Sequence, residues 1–269
     1  MKREEFDDIR PYYDEEVPMA IEELLNNEKF KNVVQMVFPK MDWTELSTQM
    51  RSFKNRTDFQ YKLIKGIVYE LVSLSSTNLE SDGYEHIEKA TGYTFMSNHR
   101  DIILDAAILS VILADHGYEI PEIAIGDNLL LQPWIEILVK LNRSFIVKRG
   151  VSIRQMLETS KHLSQYIHFT VEEENQSIWI AQREGRAKNS DDRTQESLLK
   201  MLAMGGKGDF LEDIRSLNIC PVSLSYEFDP CDFLKAKEFQ QKRDNPDFKK
   251  SKEDDLKNME TGLFGFKRN

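Results

Sequence analysis

Cysteine is scarce in this chain of 269 residues: there are two, Cys220 and Cys231. They lack the C-x-x-C spacing of a thiolate metal site. Two cysteines at this spacing argue against a disulfide framework and for a reducing compartment. A net positive charge is missing too. The balance is −10, the wrong sign for a general nucleic-acid binder. It is also wrong for docking on an anionic membrane by overall charge, which leaves that role to a local basic patch. Long apolar runs are absent. The longest, from Ala106 to Ala114, is far too short to span a bilayer. The first residues, "MKREEFDDIRPYYDEE", are acidic and lack the apolar stretch of a signal peptide. These absences lead to the expectation of a cytoplasmic protein, peripheral at the inner face of the membrane if it meets lipid at all. With 40% hydrophobic and 30% charged residues, the chain has material for a core and a soluble surface.

Several catalytic signatures are missing as well. No Gly-x-Ser-x-Gly elbow supplies a serine nucleophile. "HRD" at 99–101 opens the protein-kinase catalytic loop, but position 106 is Ala where that loop needs Asn. A glycine-rich loop and Asp-Phe-Gly are absent. His99, Asp101 and Asp105 lack a second well-spaced histidine, and His86, His116, His162 and His168 form no ligand pattern, so no metal is expected.

What is present divides near residue 88. Residues 1–88 read as a helical region, with apolar residues three and four apart in "VPMAIEELLNN", "EKFKNVVQMVF", "DWTELSTQMRSF" and "RTDFQYKLIKGIVYELVSLS". Asp42 and Glu45 fit a capping box. From 89 to 269 the rhythm changes to short apolar runs: 93–97, 122–126, 144–148, 177–182 and 219–228. Helical segments at 103–116, 131–141, 151–170 and 194–204 separate them. This alternation predicts an α/β layer fold, a largely parallel, mixed sheet flanked by helices. The charged stretch 230–260 reads as one or two solvated helices around Pro246, and "GLFGF" at 262–266 as a final strand.

In such sheets, ligands gather beyond the carboxyl ends of the strands. Polar clusters fall at three of those ends. After the first run, "SNHRDIILD" supplies His99 as a general base, with Asp105 or Asp101 as the carboxylate that sets its tautomer. After the third, Lys148, Arg149 and Gly150 precede a helix start and make an anion site, with Arg149 able to fork onto phosphate. After the fourth, Glu184 stands between Arg183 and Arg186. Gly185 there permits close approach of backbone to a ligand.

In their order, these blocks resemble the glycerolipid acyltransferase superfamily, the glycerol-3-phosphate and lysophosphatidic acid acyltransferases. "NHRDIILD" is similar to the His-x(4)-Asp block, "FIVKRG" to the phosphate-contacting block, "IAQREGRAK" to the Phe-Pro-Glu-Gly-Thr-Arg block, and "ICPVSLSY" to the proline-containing strand. Within it, the chain resembles the bacterial glycerol acyltransferase branch. The resemblance covers about residues 90–228. It implies a glycerol-3-phosphate acyltransferase-like fold and transfer of an acyl group from a thioester to a hydroxyl, with His99 as base. Asn98, Arg100, Lys148, Arg149, Gly150, Glu184, Gly185 and Arg186 would bind substrate.

No cofactor is implied. The partners would be an acyl donor, acyl-coenzyme A or acyl-acyl carrier protein, and a lysolipid or glycerol phosphate. Lys148, Arg149, Arg183, Arg186, Lys188 and Arg193 would attract either donor if they share a face. The apolar faces of 33–38 and 63–72 would shelter an acyl chain or dip into a leaflet. This sequence departs from the pattern in having five residues, not four, between His99 and Asp105. It also has Gln182-Arg183 where Phe-Pro is usual. Two further readings stay open: acylation of an aminolipid or a lysolipid without phosphate, and a non-catalytic lipid-binding relative.

Overall fold

The five apolar runs become five parallel strands in a computed structural model, which describes residues 1–188, 191–229 and 231–249, together with 251, 254 and 261. They are β1 (Thr94–Ser97), β2 (Glu122–Gly126), β3 (Ser144–Val147), β4 (Ile178–Ala181) and β5 (Ile219–Val222). Every pairing among the described residues is parallel, in the order β3-β2-β4-β1-β5. The segment 262–266 lies outside the described residues.

The helices are α1 (Val17–Leu25), α2 (Glu28–Val37), α3 (Trp43–Arg51), α4 (Arg56–Phe59), α5 (Lys65–Ser75), α6 (Leu104–Asp115), α7 (Pro133–Leu141), α8 (Ile153–His168), α9 (Glu196–Leu202), α10 (Phe210–Ser216) and α11 (Asp232–Asp244). A π-helical turn, Gln60–Ile64, joins α4 to α5. Asp42 caps α3, accepting from the Glu45 N–H at 2.9 Å.

Successive residues of a strand face opposite sides of the sheet, so strands covered on both sides read as unbroken apolar runs. Met96, Ile178 and Ile180 pack with Leu163, Ile167 and Leu202 of α8 and α9 on one side. Phe95 and Trp179 pack with Ala106, Leu109 and Leu113 of α6 on the other. The helical region does not stand apart from this sheet. Phe6 joins the core beneath α8, and Ile137 and Leu141 of α7 share a core with Val17, Ile21 and Leu24. The Ile9 carbonyl accepts from the Ile146 N–H at 2.8 Å, so the N-terminal chain covers the edge strand β3.

Three expectations need correction. Helix ends at Ser75, not near 88, because "SSTNLESDG" offers no apolar periodicity to bury; only the short turn Tyr84–His86 follows before β1. The last run leaves the sheet after Val222 instead of continuing to 228. Beyond it, Leu224 exchanges two hydrogen bonds with the Asn98 side chain, both 2.8 Å, and these take the place of a strand neighbour. Helix α10 has no counterpart among the predicted helical segments. It opens on Asp209, which accepts from the Leu211 and Glu212 N–H groups, with Glu212 answering back to the Asp209 N–H.

One buried acid ties the helical region to the sheet. Glu122, at the start of β2, accepts from the Tyr166 hydroxyl and pairs with Arg56 at 3.2 Å. Burial pushes its carboxyl above the ordinary 4.5, against the pull of Arg56 and the Tyr166 hydrogen bond. A raised folded pKa adds most to stability below the unfolded pKa, and that contribution is lost as pH rises through the folded value. Denaturant titrations should therefore show the stability of the wild type relative to Glu122→Gln falling as pH rises above about 4. A difference that stays flat with pH removes Glu122 from the account.

Candidate active site

Residues leaving β1 and β4 diverge. The chain after β1 runs into α6 on one face of the sheet, and the chain after β4 runs into α9 on the other. Adjacent strands with diverging exits open a crevice at their carboxyl ends, the usual ligand position in open α/β sheets. Ser97 pairs with Ala181 in register, which puts the His99 turn beside the Glu184 turn. The Ala187 N–H donates to the His99 carbonyl at 2.9 Å and joins the two turns.

His99 Nδ1 lies 2.9 Å from Asp105 Oδ2. The ring side chain is 15% exposed and the carboxylate 0%, so the imidazole stands at the mouth and the acid behind it. Trp179 meets the ring edge to face, 5.9 Å between centroids, and its indole N–H is held by Ser97 Oγ at 2.9 Å. Asp105 Oδ2 also accepts from the backbone N–H groups of Arg100 (2.6 Å) and Asp101 (2.9 Å), and Oδ1 accepts from the Tyr226 hydroxyl (2.7 Å). A carboxylate accepting from every side leaves His99 Nδ1 as the donor, and Nε2 as the nitrogen that carries the lone pair. Burial, then the charge of Asp105 at hydrogen-bond distance, push the Tyr226 phenol well above its ordinary range, so it remains a donor.

The structure separates the two candidate acids. Asp105 holds the ring. Asp101 is turned to the start of α6, where Oδ1 accepts from the Ile103 and Leu104 N–H groups at 2.9 and 2.8 Å. The extra residue between His99 and Asp105 is thus absorbed in a turn that the Asp101 side chain closes just before α6.

The remaining predicted residues divide. Arg149 crosses the end of β2 and reaches Glu184 at 3.3 Å. Gly126 makes room for the crossing, since a Cβ there would lie 2.8 Å from Arg149 Nε. Gly150 and Gly185 have φ of 67° and 69°, the left-handed turns that follow these two side chains. Glu184 therefore takes its cation from the turn after β3, not from its neighbours: Arg183 donates to the Asp191 carbonyl at 2.7 Å, and Arg186 is buried against Cys231.

Lys148 turns away to Asp8, which His162 also contacts at 2.9 Å. Desolvation raises the Asp8 carboxyl, but hydrogen bonds from these two groups outweigh it and leave the acid below its ordinary range. Lys188 pairs with Glu238 at 2.5 Å and Arg193 with Asp191 at 2.6 Å, so the six cations do not form one open face. Arg100 pairs with Asp192 and Asp229, and its carbonyl accepts from Lys235 Nζ at 2.6 Å. Asn98 spends its amide on Leu224. Both Arg100 and Asn98 brace the turn rather than project from it.

Sequence reasoning missed Tyr226, Asp229 and Lys235. "SLSYEF" has the alternation of a strand and nothing in it marks a phenol aimed at a carboxylate 121 positions earlier.

Fold and site together define a class: an α/β protein with a histidine–carboxylate pair at the carboxyl-end crevice of a parallel sheet. The family model described as Acyltransferase matches residues 78–225, more than half of the chain. The chain belongs to that family, and its activity is acyl transfer. No curated protein matches it. Among the described residues, no helix is long and apolar enough to cross a membrane.

Proposed function

We propose that the protein moves a fatty acyl group from an acyl thioester to a hydroxyl of glycerol phosphate or a lysophospholipid, with His99 as general base. The observation that carries this reading is the 2.9 Å pair of His99 and buried Asp105 at the crevice, in a chain of the acyltransferase family. Nε2 takes the proton of the acceptor hydroxyl as its oxygen attacks the thioester carbonyl. Asp105 steadies the imidazolium that forms. The tetrahedral intermediate then collapses, the C–S bond breaks, and the imidazolium returns its proton to the leaving thiolate. No acyl-enzyme is needed. Residues 89–269 carry the chemistry, and the N-terminal chain before them covers the sheet's β3 edge. The donor is acyl-coenzyme A or acyl-acyl carrier protein, and the acceptor is met at a membrane surface.

Arg149 is the group for the acceptor phosphate, with Glu184 beside it for a hydroxyl. Their ion pair also supports a second reading. A guanidinium already facing a carboxylate pulls less on phosphate, which favours an acceptor without one. Mass spectrometry of products from each acyl donor with a panel of lysolipids tests the reaction, and absence of acylated product throughout rejects it. Arg149→Ala decides between acceptors. With lysophosphatidic acid, KM should rise about 10- to 100-fold, the worth of a charge-assisted hydrogen bond, and the same lipid lacking phosphate should be unaffected. Equal effects on both lipids point to the second reading.

A further inference from the structure

We infer that Tyr226 is a positioning residue of the acyl-transfer site, and that the chain leaving β5 serves to deliver it. The inference rests on the reading of His99 as base. Asp105 Oδ2 has three donors, from His99, Arg100 and Asp101, whereas Oδ1 has one partner among the described residues, the Tyr226 hydroxyl at 2.7 Å. Two backbone N–H groups hold the near oxygen but leave the carboxylate free to pivot about it. A donor on the far oxygen fixes the plane of the group and, through it, the plane of the imidazole.

The route by which Tyr226 arrives supports the same conclusion. An unbroken β5 would carry position 226 along the sheet. Instead the chain leaves after Val222, and Leu224 is clamped by both ends of the Asn98 amide, one residue before His99. Three residues beyond Tyr226, Asp229 pairs with Arg100, one residue after His99, at 3.4 Å. Lys235 joins Asp229 to the Arg100 carbonyl. The segment is thus tied on both sides of Tyr226 to the two residues that flank the base. Ties that only stiffened the loop would not need to bracket the phenol or bring it to the oxygen of Asp105 that, among the described residues, has no backbone donor.

Tyr226→Phe tests this in the full-length protein. The expected result is a fall in kcat of roughly 10-fold, the scale found when a group orienting a histidine ligand is removed, with acceptor KM within about twofold. The far-downfield proton resonance of the His99 Nδ1–H should shift or broaden in Tyr226→Phe and vanish in Asp105→Asn. Replacing Tyr226 with 3-fluorotyrosine, which keeps the hydrogen bond and changes only the acidity of the donor, should move the same resonance in a folded protein. It therefore gives the reading even if Tyr226→Phe fails to fold. A resonance unmoved by 3-fluorotyrosine, or a Tyr226→Phe protein with unchanged kcat and resonance, overturns the inference. Loss of acyl transfer in the wild type with every donor and acceptor would instead reject the acyl-transfer reading, and the resonance would still report whether Tyr226 holds the pair.

Discussion

His99→Ala is expected to lower kcat/KM for acyl transfer by about 10³-fold, within the range that a positioned general base supplies. The reacting hydroxyl is a poor nucleophile until its proton is taken, and among the described residues of the two turns no other base approaches the crevice, Asp101 being turned to the start of α6. Arg149 and Arg186 are cationic, and Glu184 faces Arg149. The residual rate would come from holding donor and acceptor together. Acceptor KM should change little, because the base acts on the proton in flight and contributes little to binding. Steady-state thioester consumption with lysophosphatidic acid measures the ratio. A loss smaller than about tenfold would mean that another group takes the proton. The variant also leaves buried Asp105 Oδ2 with two donors in place of three, so it should melt below the wild type; circular dichroism at the assay temperature, showing a folded protein, separates the fall in rate from unfolding.

Asp105→Asn should combine a large kinetic loss with a loss of stability. The carboxylate is buried at 0% exposure and accepts four hydrogen bonds. An amide has the same shape but one side of it donates. If that side faces His99, the ring must turn its lone pair to Nδ1 and the base at Nε2 is lost. If it faces Tyr226, the tautomer survives but the negative charge that stabilises the imidazolium is gone. Both arrangements lower kcat, by about 10⁴-fold on the precedent of carboxylates that orient a catalytic histidine. Denaturant unfolding should show a loss of about 2 kcal/mol, the scale of weakening hydrogen bonds to a buried charged acceptor. A variant as stable and as fast as the wild type would show that Asp105 is neither a support for the ring nor for the turn.

Much of this site was legible because strand ends are local features. "YTFMS" followed by "NHRD" names both a buried strand and the polar residues that must emerge from it, and the same holds for "SFIVKRG" and "WIAQREGR". The choice between Asp101 and Asp105 was not legible. Both lie within reach of His99 along the chain, and what separates them is which carboxylate closes the turn before α6 onto the Ile103 and Leu104 N–H groups. The fate of Lys148 and Arg149 was likewise hidden. They are neighbours in sequence, yet alternation along an extended chain sends one towards Asp8 and the other across Gly126 to Glu184.

By itself, the sequence determined the class of fold and the number of described strands, because apolar runs of four or five residues separated by helical periodicity can be buried in few ways. It also determined which histidine stands at a strand end and in what company. Tertiary structure alone decided the order β3-β2-β4-β1-β5, the pairing of Arg149 with Glu184, and the arrival of Tyr226 at Asp105. Parallel strands are paired through long crossovers, so their neighbours are chosen by packing between residues far apart in the chain, and no local pattern encodes that choice.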